Sequence, residues 1–261
     1  MSAAKRTRLP TGREAARFLD AALDVKRFSD SALNGLQVEG TRPVRRVAAA
    51  VDASLETFQA AAQAETDLLV VHHGLFWGKP YAWTGPQARR LRVLVESGMS
   101  LYAAHLPLDA HPKLGNNACL AHALGLKALK PFGAYHGQTI GWSGILPSPV
   151  SREGLAKKLS KILTVPPRVL PWGPESIRTV AVVSGGGGDM AEQAWEGDNP
   201  MEAFITGEAS HVIYHPCREA GLNLFLGGHY ATETLGVQAV AELLVKTYGV
   251  KSLFLKLPTG L

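Results

Sequence analysis

Six side chains whose types and spacing suit metal binding are spread over three parts of the chain. Two histidines are adjacent in VVHHGLFW (70–77), and a histidine precedes a carboxylate by four residues in both HLPLD (105–109) and HYATE (229–233). The candidates are His72, His73, His105, Asp109, His229 and Glu233. Imidazole nitrogens and carboxylate oxygens without a thiolate are ligands of manganese, iron, cobalt, nickel or catalytic zinc. The sequence therefore predicts a site for divalent metal ions.

The number of candidates favours two metal ions over one. A single catalytic zinc takes about three protein ligands, whereas a larger set suits a pair of ions that share a bridging water. His105 has two interpretations: it is a ligand, or, if Asp109 suffices, it orients one. A structural interpretation, as hydrogen-bonded residues outside the site, is kept for five other histidines: His111, His122, His136, His211 and His215.

Hydrophobic patterning predicts an α/β protein. After Thr11, a plausible cap, GREAARFLDAAL has helical periodicity, and NGLQVEG suggests a turn and a short strand. The apolar runs RRVAAAVDAS and TDLLVVHHG are typical of buried strands, and LETFQAAAQAE between them has a helical pattern. Together they form a βαβ unit with a parallel pair of strands. A further helix, GPQARRLRVLVESG, and a third strand, MSLYAAH, follow.

The paired histidines lie where the second of these strands ends. Parallel α/β sheets place functional groups beyond the carboxyl ends of their strands. Adjacent side chains in a regular strand point to opposite faces, so His72 and His73 can converge on one site only where the pleat breaks. A strand that ends at Gly74 allows that break.

A weak internal repeat relates the two halves of the chain. RRVAAAVDAS and its helix correspond to IRTVAVVSGG and DMAEQAWE, and DLLVVHHG corresponds to EAFITGEAS. SGMSLYAAHLPLD aligns with AGLNLFLGGHYATE, which places His105 on His229 and Asp109 on Glu233. Residues i and i+4 share one face of a helix, so each pair can point into one pocket if a helix starts directly after the strand.

Two segments of the second half have more than one interpretation. VVSGGGGD (182–189) lacks the lysine of a phosphate-binding loop and the spacing of a dinucleotide-binding loop. Its glycines 185–188 form either a flexible turn, which we favour, or an anion site at a helix N-terminus. Glu208 in TGEAS (206–210) is either a pocket wall or a base.

Composition narrows the class of protein. No stretch reaches the roughly 18 apolar residues of a membrane helix, and the basic N-terminal segment lacks the apolar core of a signal peptide. The two cysteines, Cys119 and Cys217, cannot build a disulfide framework. We therefore expect a cytoplasmic protein without membrane partners. The net charge of +5 comes from scattered clusters, so a small anionic ligand is expected rather than nucleic acid.

Five segments carry a resemblance to a known family. NGLQVEG, VVHHGLFW, HLPLDAHPKLGNNACLA, FITGEASH and GGHYATETLG resemble, in order and approximate spacing, blocks of the GTP cyclohydrolase 1 type 2 homologue family of Nif-three-like proteins. The match runs from about residue 13 to the C-terminus. The resemblance implies a dinuclear metal centre held by His72, His73, Asp109, His229 and Glu233, which is five of the six candidates reached from the residues alone.

The resemblance also implies an architecture. The expected fold is a Nif-three-like α/β fold with two lobes and pseudo-symmetric α/β halves, and the expected assembly is a toroidal homohexamer built as a trimer of dimers. Residues 1–125 and 224–261 would form the metal-site lobe, and residues 126–223 the second lobe. GWSGILPSPVSREGLAKKLSKIL would supply a strand, a turn and a helix to the second lobe.

Two functions fit these expectations. The first is a metal-dependent, cyclohydrolase-like hydrolase acting on a small nucleotide-like or heterocyclic substrate, with His105 or Glu208 as catalytic proton shuttle. Its cofactors would be two divalent ions among zinc, iron, manganese, cobalt and nickel. The second is a protein that stores or delivers metal ions without turnover.

Overall fold

The structure is a computed structural model that describes residues 8–196 and 199–261. The α-helices are α1 Gly12–Ala22, α2 Leu55–Gln63, α3 Gly85–Ser97, α4 Leu106–Ala110, α5 Asn116–Ala123, α6 Arg152–Leu163, α7 Tyr214–Glu219, α8 His229–Thr232 and α9 Thr234–Tyr248. The strands are β1 Gly35–Val38, β2 Arg46–Asp52, β3 Leu68–His73, β4 Ser100–Ala103, β5 Lys127–Tyr135, β6 Gln138–Ser151, β7 Arg168–Pro171, β8 Ser176–Val183, β9 Ala203–Thr206, β10 Asn223–Leu226 and β11 Lys251–Phe254. Short 3-10 helices cover Val25–Arg27, Gly187–Ala194 and His211–Ile213. The prediction of an α/β protein is confirmed.

The chain forms two compact units. Unit 1 comprises Met1–Pro107 and Val237–Leu257, and unit 2 comprises Leu108–Gly236 and Pro258–Leu261. Asp109, His229 and Glu233 belong to unit 2, and the paired histidines belong to unit 1. The lobes expected from the sequence are bounded at residues 125 and 223 and include residues 1–7 and 197–198, which lie outside the described residues; that division stays a prediction.

Unit 1 contains a five-stranded sheet in the order β1-β4-β3-β2-β11. The strands β4, β3, β2 and β11 are parallel, and β1 pairs antiparallel with β4 at the edge. Residues 47–51 and 68–72 are buried, which explains why these strands are nearly continuous apolar runs rather than alternating ones. Side chains of β2, β3, β4 and the helices α2 and α3 form its core around Phe58, Leu69, Leu94 and Leu101.

Local signals set the bounds of the unit 1 helices. Thr11 and Glu14 cap the start of α1 reciprocally: the Thr11 side chain accepts from the backbone of Glu14, and the Glu14 side chain accepts from the backbone of Thr11. Ser54 caps α2. Gly98 ends α3 in the left-handed region, at φ 65°. These helices cover the segments that the sequence predicted as helical.

Unit 2 contains a six-stranded sheet in the order β5-β6-β8-β9-β10-β7. Its three strands β8, β9 and β10 are parallel, and the remaining pairings are antiparallel. The helix α6 packs its leucines, Leu155, Leu159 and Leu163, against the apolar face of this sheet. The predicted strand and helix after residue 140 are present as β6 and α6, but the predicted turn between them is wrong, because β6 runs to Ser151 and α6 begins at Arg152 with Ser151 as its cap.

No helix within the described parts of the chain is both long and apolar enough to span a bilayer.

Candidate metal centre

The functional side chains of unit 1 lie at the carboxyl ends of three neighbouring parallel strands. β2 ends at Asp52, β3 ends at His73, and β4 is followed within two residues by His105. Because the strands are parallel and Asp52 pairs with His73 in register, their ends meet at one edge of the sheet. The βαβ topology that the sequence predicts is therefore what assembles these side chains.

Three histidines form a cluster at this edge, His72, His73 and His105. A ligand nitrogen from each lies within 4.8 Å of the others. The ring centroids of the adjacent pair, His72 and His73, are only 4.7 Å apart, which confirms that the two imidazoles converge. The pleat ends at His73, and Gly74 then packs tightly: a Cβ there would lie 2.3 Å from Nε2 of Gln37.

Each imidazole of this cluster is held through its Nδ1 atom. His72 Nδ1 lies 2.8 Å from the carbonyl oxygen of Ala104, and His73 Nδ1 lies 2.7 Å from Oδ1 of Asp52. His105 Nδ1 lies 3.0 Å from Oδ1 of Asp30. A proton on Nδ1 satisfies each of these oxygens and leaves the lone pair on Nε2, the arrangement with which a metal-binding histidine is usually oriented.

Asp30 is the most constrained of these acceptors. Its side chain is 2% exposed and also accepts hydrogen bonds from Ala32, Asn34 and Leu106. Burial acts to raise the pKa of Asp30, but the hydrogen bond from His105, the charge that His105 carries when it is protonated, and the bonds from Asn34 and Ala32 outweigh it and lower the pKa to about 2. Asp30 is therefore an ionised carboxylate fixed against His105.

The functional side chains of unit 2 also follow parallel strands. Ser184 follows β8, Glu208 follows β9, and His229 follows β10 at the start of α8. Glu233 comes directly after α8, and His229 Nε2 lies 3.4 Å from its Oε1. The predicted i, i+4 arrangement of this pair is confirmed.

His229 is held between two carboxylates. Its Nδ1 lies 2.9 Å from Oε1 of Glu208. Hydrogen bonding to Glu233 and the charges of both carboxylates raise the pKa of His229 to about 9, although burial acts against this. The two carboxylates, Glu208 and Glu233, therefore favour a positive charge at His229.

Two buried carboxylates of unit 2 lie close together. Asp109 is 6% exposed and Glu233 is 4% exposed, and an oxygen of one lies within 4.8 Å of an oxygen of the other. Asp109 is oriented by Asn116 Nδ2 at 3.0 Å and by Ser184 Oγ at 3.3 Å. Like charges buried at this separation repel each other, and a cation between them removes the penalty. This donor pair therefore suits a divalent metal ion.

The glycine-rich segment packs against these ligands. A Cβ on Gly185 would lie 2.0 Å from Oε1 of Glu233 and 3.1 Å from Nε2 of His229. The carbonyl oxygen of Gly185 accepts backbone hydrogen bonds from Gly207 and Glu208, both at 3.0 Å. These contacts assign the glycine a packing role beside Glu233. The sequence favoured a turn here, and a turn is present at residues 185–186 before the 3-10 helix Gly187–Ala194; it is hydrogen-bonded and close-packed.

The five other histidines lie outside the groups of described residues that could hold a metal, and the structural interpretation as hydrogen-bonded residues is confirmed for His111. His111 accepts backbone hydrogen bonds from Lys113 and Leu114 through Nδ1, which closes a turn. The remaining four are exposed: His122, His136, His211 and His215. Within residues 8–196 and 199–261, the groups able to hold a metal contain none of the five.

Two residues of the site escaped sequence analysis, Asp30 and Asp52. Asp52 ends a strand next to the histidine strand, so its position at a carboxyl end was a usable signal. Asp30 lies in an irregular stretch 75 residues before His105, and no pattern in the sequence links the two.

The chain is similar to proteins of known sequence and structure. Residues 10–259 match the family Duf34/NIF3 (NGG1p interacting factor 3). A Deinococcus radiodurans protein named "GTP cyclohydrolase 1 type 2 homolog" is 45% identical over 249 residues, which cover 95% of this chain and 94% of that protein. The crystal structure of TTHA1606 from Thermus thermophilus has a TM-score of 0.88 at 43% identity and covers 96% of this chain and 100% of its own. Reduced HcgD from Methanocaldococcus jannaschii has a TM-score of 0.82 at 25% identity, with coverage of 96% and 100%.

Proposed function

Since the chain belongs to the Duf34/NIF3 family, we propose that it is a metal-dependent hydrolase acting on a small nucleotide-like or heterocyclic substrate. The name of its curated relatives, GTP cyclohydrolase 1 type 2 homolog, supports this class of reaction. The proposed cofactors are two divalent ions among zinc, iron, manganese, cobalt and nickel. The proposed ligands are His72, His73, Asp109, His229 and Glu233.

One observation carries the proposal: four histidines, three in unit 1 and one in unit 2, each direct Nδ1 at an oxygen atom. The acceptors are the Ala104 carbonyl for His72, Asp52 for His73, Asp30 for His105 and Glu208 for His229. A histidine held in this way presents Nε2 to a metal ion. The buried carboxylates Asp109 and Glu233 complete a nitrogen and oxygen donor set without thiolate, which these metals accept. The residues present therefore fit the metal ions that the family implies.

Divalent ions bound by such ligands would lower the pKa of water and stabilise developing negative charge. The chain itself supplies proton transfer. His105 accepts a proton at Nε2 while Asp30 holds Nδ1 and stabilises the resulting imidazolium. Glu208, which is bonded to His229, serves to orient that ligand. In this proposal His105 is catalytic and Glu208 is a positioning residue.

The proposal includes an assembly and a location. We propose a toroidal homohexamer, a trimer of dimers with pseudo-symmetric lobes, that works in the cytoplasm without nucleic acid or membrane partners. Light scattering after gel filtration tests the assembly. A mass about six times the 27.9 kDa of one chain supports it, and a monomeric mass contradicts it.

The function is tested by metal analysis and turnover together. Protein purified without added metal is assayed for bound ions and then, after loading, for hydrolysis of GTP, phosphoesters and cyclic amides. His72→Ala should lose most of the bound metal and about 100-fold or more of the activity. His122→Ala is the matched control, because this histidine is exposed. Equal turnover by wild type and His72→Ala contradicts the proposed hydrolase function. Bound metal that passes to an apo-acceptor without any hydrolysis favours metal storage or delivery instead.

A further inference from the structure

Four aromatic residues follow β3 in unit 1: Phe76, Trp77, Tyr81 and Trp83. Three of them, Phe76, Tyr81 and Trp83, pack against one another. Phe76 stacks on Tyr81 with centroids 5.9 Å apart and ring planes at 18°. Trp83 contacts both rings edge-on, at 5.9 Å and 5.2 Å. The Tyr81 hydroxyl donates to the Leu75 carbonyl at 3.1 Å. This bracing gives the segment 75–84, here called the aromatic loop, a fixed path at the carboxyl edge of the sheet.

The fourth aromatic residue, Trp77, contacts the histidine cluster. Its ring centroid lies 5.0 Å from that of His105, with the planes at 74°, and 5.8 Å from that of His73. Trp77 is nevertheless 41% exposed. An edge-to-face contact with His105 occupies at most one face of the indole, so aromatic surface beside the imidazoles remains open to solvent.

The indole N–H of Trp77 is already used. It donates to the Gly74 carbonyl at 3.0 Å, and this bond fixes the orientation of the ring. Trp77 therefore offers a ligand its π surface and not a hydrogen-bond donor. A planar ring is the partner that gains most from such a surface, since stacking needs no particular pattern of donors and acceptors.

We propose that Trp77 is a specificity-determining platform on which the planar heteroaromatic ring of the substrate stacks beside His73 and His105. This inference rests on the proposed function and narrows its substrate class: compounds with a flat heteroaromatic ring are selected over sugars and sugar phosphates. Trp83 provides a comparison, because it is 38% exposed and packs against Phe76 and Tyr81. Exposure alone thus does not distinguish the two tryptophans, whereas contact with the histidines does.

The test measures ligand binding first and then turnover of the same proteins. Metal-loaded wild type, Trp77→Leu, Trp77→Phe and Trp83→Leu are titrated by calorimetry with GMP and with ribose 5-phosphate, which lacks the base. We expect wild type to bind GMP at least about tenfold more tightly than ribose 5-phosphate. Trp77→Leu should lose about tenfold in GMP affinity without a change for ribose 5-phosphate, and Trp77→Phe should retain most of the affinity. Trp83→Leu should match wild type, because the Phe76–Tyr81 stack, the Tyr81–Leu75 hydrogen bond and the Trp77–Gly74 hydrogen bond still hold the segment.

Several results would overturn the platform. These are equal binding of GMP by wild type and Trp77→Leu, no preference of wild type for GMP over ribose 5-phosphate, or an equal loss in Trp83→Leu. Metal content is measured in all four proteins, and a loss of ions in Trp77→Leu that accounts for its weaker binding also overturns the proposal. Selective binding of GMP through Trp77 without hydrolysis of any compound contradicts the proposed function while the platform stands. Turnover that Trp77→Leu fully retains contradicts the platform alone.

Discussion

The Nδ1 atom of His105 lies 3.0 Å from Oδ1 of Asp30, whose side chain is 2% exposed. This contact, with the bonds from Asn34 and Ala32, lowers the pKa of Asp30 from 3.8 to about 2 despite burial. A carboxylate whose pKa is lowered on folding stabilises the protein above its unfolded pKa, and that contribution disappears as the pH falls through the folded value. The contribution is about 2 kcal/mol.

Asp30→Asn should therefore unfold more easily than wild type at about pH 5, and the difference should shrink towards about pH 2. Urea unfolding at several pH values measures it. Asp24→Asn is the control, because Asp24 is exposed and its side chain makes no capping hydrogen bond. A constant difference between wild type and Asp30→Asn across this range would contradict the assignment.

Gly185→Ala should weaken metal binding, because a Cβ at this position would lie 2.0 Å from Oε1 of Glu233. Gly137 offers a matched control: both glycines have positive φ, 60° and 78°, but nothing lies within 4 Å of a Cβ on Gly137. Each substitution should cost about 1 kcal/mol of stability from backbone strain. Only Gly185→Ala should lower metal affinity, by about tenfold or more, in competition with a chelator. Equal metal affinities for the two variants would contradict this prediction.

Asp52→Ala should lower metal affinity by about 10- to 100-fold, because Asp52 orients His73 through a 2.7 Å contact. The exposed Glu56, four residues later on α2, is the control for removing an acidic side chain. Circular dichroism should show the same fold in both variants. If Glu56→Ala loses as much metal affinity as Asp52→Ala, the loss comes from removing a negative charge near the site and not from losing the orientation of His73.

Cys217 should resist alkylation in the native protein. It is fully buried, and burial together with the charge of Glu192 raises its thiol pKa to about 11. About one thiol in a thousand would then be ionised at about pH 8. Cys119 is partly exposed and should react first with iodoacetamide. Peptide mass spectrometry measures both sites, and unfolding in urea should equalise them; equal labelling of the native protein would contradict the prediction.

Much of the parallel sheet of unit 1 was predictable, because strands covered on both faces read as continuous apolar runs. β2 and β3 are such runs, and α2 between them has helical periodicity. β5 was missed, because its segment KALKPFGAY carries two lysines and most of its residues are exposed. The repeat predicted a helix in DMAEQAWE, and a 3-10 helix, Gly187–Ala194, occupies most of that segment.

The candidate ligands were predictable and the residues that hold them were not. His72 and His73 are recognisable as neighbours at the end of an apolar run, and His229 and Glu233 as a pair at helical spacing. Their acceptors are chosen by tertiary contacts: Glu208 lies 21 residues before His229, and Asp30 lies 75 residues before His105. Sequence periodicity describes neighbours within an element and carries no information about such distant pairs.

His72 differs from the other histidines in what fixes it, since its Nδ1 is held by the main-chain carbonyl of Ala104. A carboxylate acceptor such as Asp52 can be lost through a single change of residue, whereas every amino acid at position 104 supplies the same carbonyl. The backbone conformation around residue 104 thus determines the tautomer of His72. Substitution of Ala104 by another small residue during evolution would therefore leave the orientation of the His72 imidazole unchanged.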